Sequence, residues 1–68
     1  MYIIHDVKYG TYLAHGTQRG RDGKLGPAWS TSKYDAVRFS SVAEAKAAMY
    51  RIKRIRNQDN RGVIYERL

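Results

Sequence analysis

Sixty-eight residues carry 13 Lys and Arg against 6 Asp and Glu, a formal net charge of +7 with a pI near 10.1. A chain this short holds one domain and buries only roughly 60% of its unfolded surface, so its core is expected to be one layer of sheet under one helix. The absence of cysteine excludes a disulfide framework and a thiolate metal site, no apolar run approaches the roughly 20 residues of a bilayer span, and no signal-peptide pattern opens the chain, so a soluble cytoplasmic protein without membrane contact is expected.

Residues 2–8, YIIHDVK, are β-rich and run into Tyr9-Gly10, which predicts a strand that turns back tightly, with Thr11 to His15 returning antiparallel. In that register His5 lies opposite Ala14 and His15 opposite Ile4, so the two histidines face different sides of the sheet. Ile3 and Val7 are expected on one face; Tyr2, Asp6 and Lys8 on the other. Residues 16–28, GTQRGRDGKLGPA, hold four of the six glycines and the only proline. Asp22-Gly23 is a type I′ turn signal, so this stretch is a protruding hairpin tip or a mobile loop, and in either form presents Arg19, Arg21 and Lys24 to solvent. Trp29 to Thr31 predicts a short strand, Ser32 to Asp35 a turn, and Ala36 to Phe39 a short strand or an extended lead-in to the helix.

Ser41 to Arg56, SVAEAKAAMYRIKRIR, is the long helical stretch and holds five of the thirteen basic residues. At about 100° per residue, Val42, Ala45, Ala48, Met49, Ile52 and Ile55 gather on one face, with Ala43, Ala47, Tyr50 and Arg54 opposite, flanked by Lys46, Arg51 and Lys53. Ser41 and Glu44 read as a capping box, Ser41 meeting the third helical amide and Glu44 reaching back. Glu44 suits the positive end of the helix dipole, and Arg51, Lys53, Arg54 and Arg56 its negative end. Asn57 and the polar residues to Gly62 are expected to stop the helix. Val63 to Leu68 then forms a last strand beside the first. The fold class is therefore α+β, a small antiparallel sheet in the order β-β-β-(β)-α-β with one amphipathic helix on one face.

The charge is unevenly placed. Glu44 to Arg56 net +4, and Arg19, Arg21, Asp22 and Lys24 net +2, while the remaining segments almost cancel. Such an excess attracts polyanions: DNA, RNA or an acidic protein face. It also serves plain solubility. Tyr50 stands among Lys46, Arg51, Lys53 and Arg54, with Ala43 and Ala47 beside it leaving room for close approach. Tyr and Arg together form the composition of an interface anchor; the alternative is a ring that covers neighbouring aliphatic stems. Phe39 and Trp29 are expected in the core.

The inventory speaks against catalysis and metal binding. Two histidines on opposite sides of a sheet do not converge on a shared metal, Ser40 and Ser41 serve as cap residues, and no nucleotide-binding or nucleophile-elbow spacing is present. A non-enzymatic binding module without cofactor or metal is expected. Gly20-Arg21-Asp22-Gly23 has the G-x-x-G spacing of KH domains, but there helices flank the loop and here strands do; turn chemistry accounts for the glycines.

Two resemblances bear on function. Tyr2-Ile3-Ile4, Gly10, Tyr12-Leu13, Trp29, Ala36, Phe39-Ser40-Ser41, Glu44-Ala45 and Val63-Ile64-Tyr65 follow one another as in short bacteriophage and mobile-element accessory proteins. Among these are the anti-CRISPR and other host-defence inhibitors, small non-enzymatic α+β domains that plug a nucleic-acid-handling complex. The resemblance implies a partner that is a host protein or ribonucleoprotein complex of the CRISPR-effector kind, met in the host cytosol. A basic inhibitor is no DNA mimic, so it would target acidic protein surface or exposed nucleic acid. Its contact residues would be Lys46, Tyr50, Arg51, Lys53 and Arg54, extended by Arg19, Arg21 and Lys24.

Phe39 to Ala48, FSSVAEAKAA, is in turn similar to the helix start of AP2-type and integrase-arm DNA-binding domains. These lay a three-stranded sheet in the major groove, so the sheet rather than the helix would touch DNA. The first two strands here carry Lys8 alone, where that family has several Arg and Trp on the base-reading face, and the chain adds a C-terminal strand. The alternative to the inhibitor reading is direct, weakly sequence-specific DNA or RNA binding; a structural subunit of a virion or of a toxin–antitoxin pair is a third.

Overall fold

A computed structural model describes residues 1–20, 23–56 and 62–68, with helix side chains described as far as Ile52. Strand β1 spans Tyr2–Asp6, β2 Thr11–Arg19 and β3 Leu25–Ser30. A 3-10 turn at Lys33–Asp35 precedes helix α1, Val42–Arg56, and β4 spans Val63–Arg67. The strands form one antiparallel sheet in the order β3-β2-β1-β4. This is the expected α+β architecture. The last strand lies beside the first, and the Leu68 N–H donates to the Met1 carbonyl at 2.9 Å, so both chain ends sit in the sheet.

The first hairpin departs from the expected register. His5 pairs with Tyr12 and Asp6 with Thr11, leaving a four-residue connection, Val7 to Gly10, where a two-residue turn at Tyr9-Gly10 was expected. The cause is local: Asp6 Oδ1 accepts the Tyr9 N–H at 3.3 Å, a short acid satisfying the backbone of its own turn. The slip is two residues, so each side chain keeps its face. Val7, 54% exposed, belongs to the turn and has no strand face to share with Ile3.

Ile3 and Ile4 are both fully buried, on opposite sides of β1, an interior strand of the sheet. Ile4 faces the helix and joins Leu13, Ala45 and Met49 in the core, ringed by Trp29, Phe39, Ala48, Ile52, Val63 and Tyr65. Helical periodicity thus placed Ala45, Ala48, Met49 and Ile52 correctly; the Ile55 side chain lies outside the described residues. Trp29 and Phe39 pack as expected.

Ala36 to Phe39 is not a fourth ladder strand but a wedge. β1 and β2 pair only near the first turn, then splay, and this segment fills the gap. Phe39 exchanges two backbone bonds with Tyr2, both 2.7 Å, and Val37 N–H donates to the Leu13 carbonyl at 2.9 Å. Isolated bridges tie Tyr2 to Phe39 and Ala14 to Ala36.

The helix start keeps half of the expected capping box. The Glu44 N–H donates to Ser41 Oγ at 3.2 Å. The Glu44 carboxylate reaches one residue further back than expected: Oε2 accepts the Ser40 hydroxyl at 2.6 Å and the Ser40 N–H at 3.1 Å. Those two bonds, the hydroxyl first, hold the Glu44 carboxyl below its ordinary range. The expected stop at Asn57 to Arg61 lies outside the described residues. Among those described, no helix is long and apolar enough to cross a membrane.

Candidate functional site

Amphipathic packing fixes which side of α1 is free. With Ala45 and Met49 turned into the core, Ala43, Ala47 and Tyr50 form an exposed row at i, i+4 and i+7, and Lys46 and Arg51 flank it, exposed as well. Tyr50 is 66% exposed. Lys46 leans toward β4, its Nζ 5.9 Å from the centre of the Tyr65 ring, close enough for a weak cation–π attraction. Lys46, Tyr50 and Arg51 are therefore all exposed on the free side of the helix. Lys53 and Arg54 lie in the same helix, with side chains outside the described residues.

The second cationic group sits on an ordered ribbon. Thr17 pairs with Pro27, Gln18 with Gly26 and Arg19 with Leu25, and the Gly20 N–H donates to the Lys24 carbonyl at 2.9 Å. Of the two forms open for residues 16–28, the described residues, 16–20 and 23–28, adopt the hairpin. The turn bond runs from the Gly23 N–H to the Gly20 carbonyl at 3.0 Å, with Gly23 at φ 77°. A type I′ turn centred on Asp22-Gly23 would instead close between Arg21 and Lys24. A bulge glycine in the left-handed region matches the right-handed twist of the strands just as well. Arg19 Nη1 donates to the Gly23 carbonyl at 2.7 Å, so this guanidinium helps to close the turn as well as carrying charge. Lys24 is exposed; Arg21 lies outside the described residues.

The sheet face turned away from the helix carries a polar cluster. His5 stacks on Tyr12, centroids 4.3 Å apart and planes 17° from parallel. Glu66 stands beside them, Oε1 at 3.4 Å from His5 Nδ1 and Oε2 at 2.6 Å from Lys33 Nζ. The bond to Lys33 holds the Glu66 carboxyl below its ordinary range, partly opposed by desolvation, and raises the Lys33 ammonium in return. This cluster pins the 3-10 turn to β4. His15 stands elsewhere, exposed on β2. Among the described residues no group of three His, Cys, Asp or Glu is placed to hold a metal ion.

Sequence reasoning did not foresee an open cleft of about 750 Å³ between β2, β3 and residues 34–38, lined by Trp29, Tyr34 and Arg38 among others. Its one signal in the sequence is Tyr34, an aromatic in a polar turn. No family model, curated protein or solved structure matches the chain, so the resemblances to host-defence inhibitors and to AP2-type domains rest on the residues quoted for them.

Proposed function

We propose that this chain is a non-enzymatic inhibitor of the anti-CRISPR type, which docks the outer face of α1 on a host nucleic-acid-handling complex and blocks its access to nucleic acid. The observation that carries the reading is Tyr50, 66% exposed in a row with two exposed alanines and between Lys46 and Arg51. Desolvating a large amphipathic ring gives an interface its anchor, and small neighbours let a partner close over it. Lysine and arginine around such an anchor speed encounter with an acidic surface more than they tighten the final complex. Arg19 and Lys24 on the hairpin, with Arg21 between them in sequence, extend the charge.

The AP2-like alternative has less support. The sheet face it would lay in the major groove carries the Glu66–Lys33 pair, whose charges cancel, so that pair adds no net attraction for phosphates.

Duplex DNA titrated with the intact chain at 50 and 200 mM salt tests the reading. Docking to protein predicts weak duplex binding that collapses at the higher salt, since counterion release is then its only source. Tight duplex binding at 200 mM salt that is lost on Lys46→Glu with Arg51→Glu would make the helix a direct DNA-binding surface and overturn the proposal.

A further inference from the structure

The cleft beside β2 owes its shape to an irregularity in the ladder. Leu13 pairs with Trp29 and Thr17 with Pro27, so three residues of β2, Ala14 to Gly16, stand against Ala28 alone. Gly16 takes φ 89° to accommodate the excess, and Ala14 turns from β3 to bridge Ala36. Bulges of this kind re-aim side chains and recur beside binding sites. The opening that results, about 750 Å³, falls within the roughly 300–1,000 Å³ of small-ligand sites. Ala14, Ala28 and Ala36 leave it shallow-walled; Trp29, Tyr34 and Arg38 supply ring surface and a cation.

Tyr34 is 92% exposed, so its ring does nothing for the core. Trp29 is half-buried, packed on the core cluster and also lining the cleft. Asp35 lines it too, with Oδ2 accepting the Ser30 hydroxyl at 3.0 Å. Aromatic surface beside a guanidinium is the chemistry that holds an unpaired base and its phosphate. A carboxylate alongside accepts from exocyclic amino groups and disfavours a second phosphate. A sugar or apolar ligand would use the rings but neither Arg38 nor the net charge of +7.

We propose that this cleft binds an unpaired nucleotide, its base against Trp29 and Tyr34 and its phosphate toward Arg38, supplied by single-stranded nucleic acid or as a free mononucleotide. The site shares no residue with the outer face of α1, and the inference does not rest on the docking role of that face. Asp35 gives it a preference for amino-bearing bases, cytosine and adenine over thymine.

Trp29 is the only tryptophan, so intrinsic fluorescence reports on this cleft. The intact chain is titrated with oligo-dC, oligo-dT, a duplex of the same length, and CMP. The expected result is a saturable change with oligo-dC, weaker with oligo-dT and absent with the duplex. A comparable response to CMP assigns the site to free nucleotides, and a response to the oligomer alone to single strands; either supports the proposal. Tyr34→Ala, a fully solvent-facing change that leaves the fold intact by circular dichroism, is expected to weaken binding about tenfold, in line with the loss of one stacking contact, and Tyr34→Phe to restore it. Arg38→Gln is expected to weaken binding and flatten its salt dependence. No saturable change with oligo-dC or CMP, equal response to duplex, or unchanged affinity in Tyr34→Ala would each overturn the assignment. Binding lost in Lys46→Glu with Arg51→Glu but untouched by Tyr34→Ala would move the contact to the helix and overturn it as well.

Discussion

Glu44 and Glu66 show how single side chains fasten this small fold. Glu44 ties the segment before α1 to its first turn through Ser40, and Glu66 ties β4 to the 3-10 turn through Lys33. Both carboxyls are held below the ordinary 4.5 in the folded state. Their stabilisation is therefore complete above that value and fades as pH falls through the lowered folded value. Lys33 has the opposite sign: raised above 10.5, it stabilises fully below that value and loses its effect as pH rises through the raised one. Urea midpoints followed against pH should stay level between these limits as far as these groups are concerned and decline on the acid side. Glu44→Gln with Glu66→Gln should lower the neutral plateau and flatten the acid limb. The effect is modest, because exposed pairs are screened by solvent. An acid limb unchanged in the double variant would show that neither bond matters to stability. Of these two contacts, the S-x-x-E spacing announced the first, though not which serine the carboxylate meets, since Ser40 and Ser41 are adjacent and both offer donors. The Lys33–Glu66 pair spans half the chain, and no local pattern points to it.

At the scale of elements, the helix was legible and the strand connections less so. Apolar residues at helical spacing identified the buried face of α1, because only one stripe of a helix can meet a sheet. Met49→Ala should cost roughly 2–5 kcal/mol, the usual range for emptying a core site, whereas Tyr50→Ala, one residue along, should stay within about 0.5 kcal/mol of wild type. Comparable losses at both positions in thermal or urea unfolding would mean that Tyr50 packs against the fold and is not held free for a partner. The hairpin register was not legible, since the Asp6 side chain lengthens the turn by satisfying its backbone. Nor could the wedge of Ala36 to Phe39 be read: its bonds reach Tyr2 and Leu13, far off in sequence. The cleft follows from both features, because it exists only where the β2 irregularity and the wedge meet. Its lining residues, scattered from Ala14 to Arg38, form no motif along the chain.

The whole molecule combines a net charge of +7 with a sheet whose helix turns one apolar stripe inward and one cationic, tyrosine-bearing stripe outward. Composition made the charge plain and periodicity placed Lys46, Tyr50 and Arg51 on the free side of α1. What composition could not supply is the division of the surface into an exposed, tyrosine-bearing helix face and a separate aromatic cleft, because that division depends on tertiary packing. A net positive charge produces a long-range field that favours encounter with acidic or phosphate-bearing surfaces, and in the proposed reading the exposed Tyr50 ring makes the contact that follows. The measurement closest to this account is interference in cells that carry active CRISPR effectors of several types, scored by the plating of a targeted phage with and without the chain. The wild-type chain is expected to restore plating against at least one effector, and Tyr50→Ala and Lys46→Glu with Arg51→Glu to abolish the rescue while remaining folded. No rescue against any effector, or rescue that survives both helix-face variants, would contradict it.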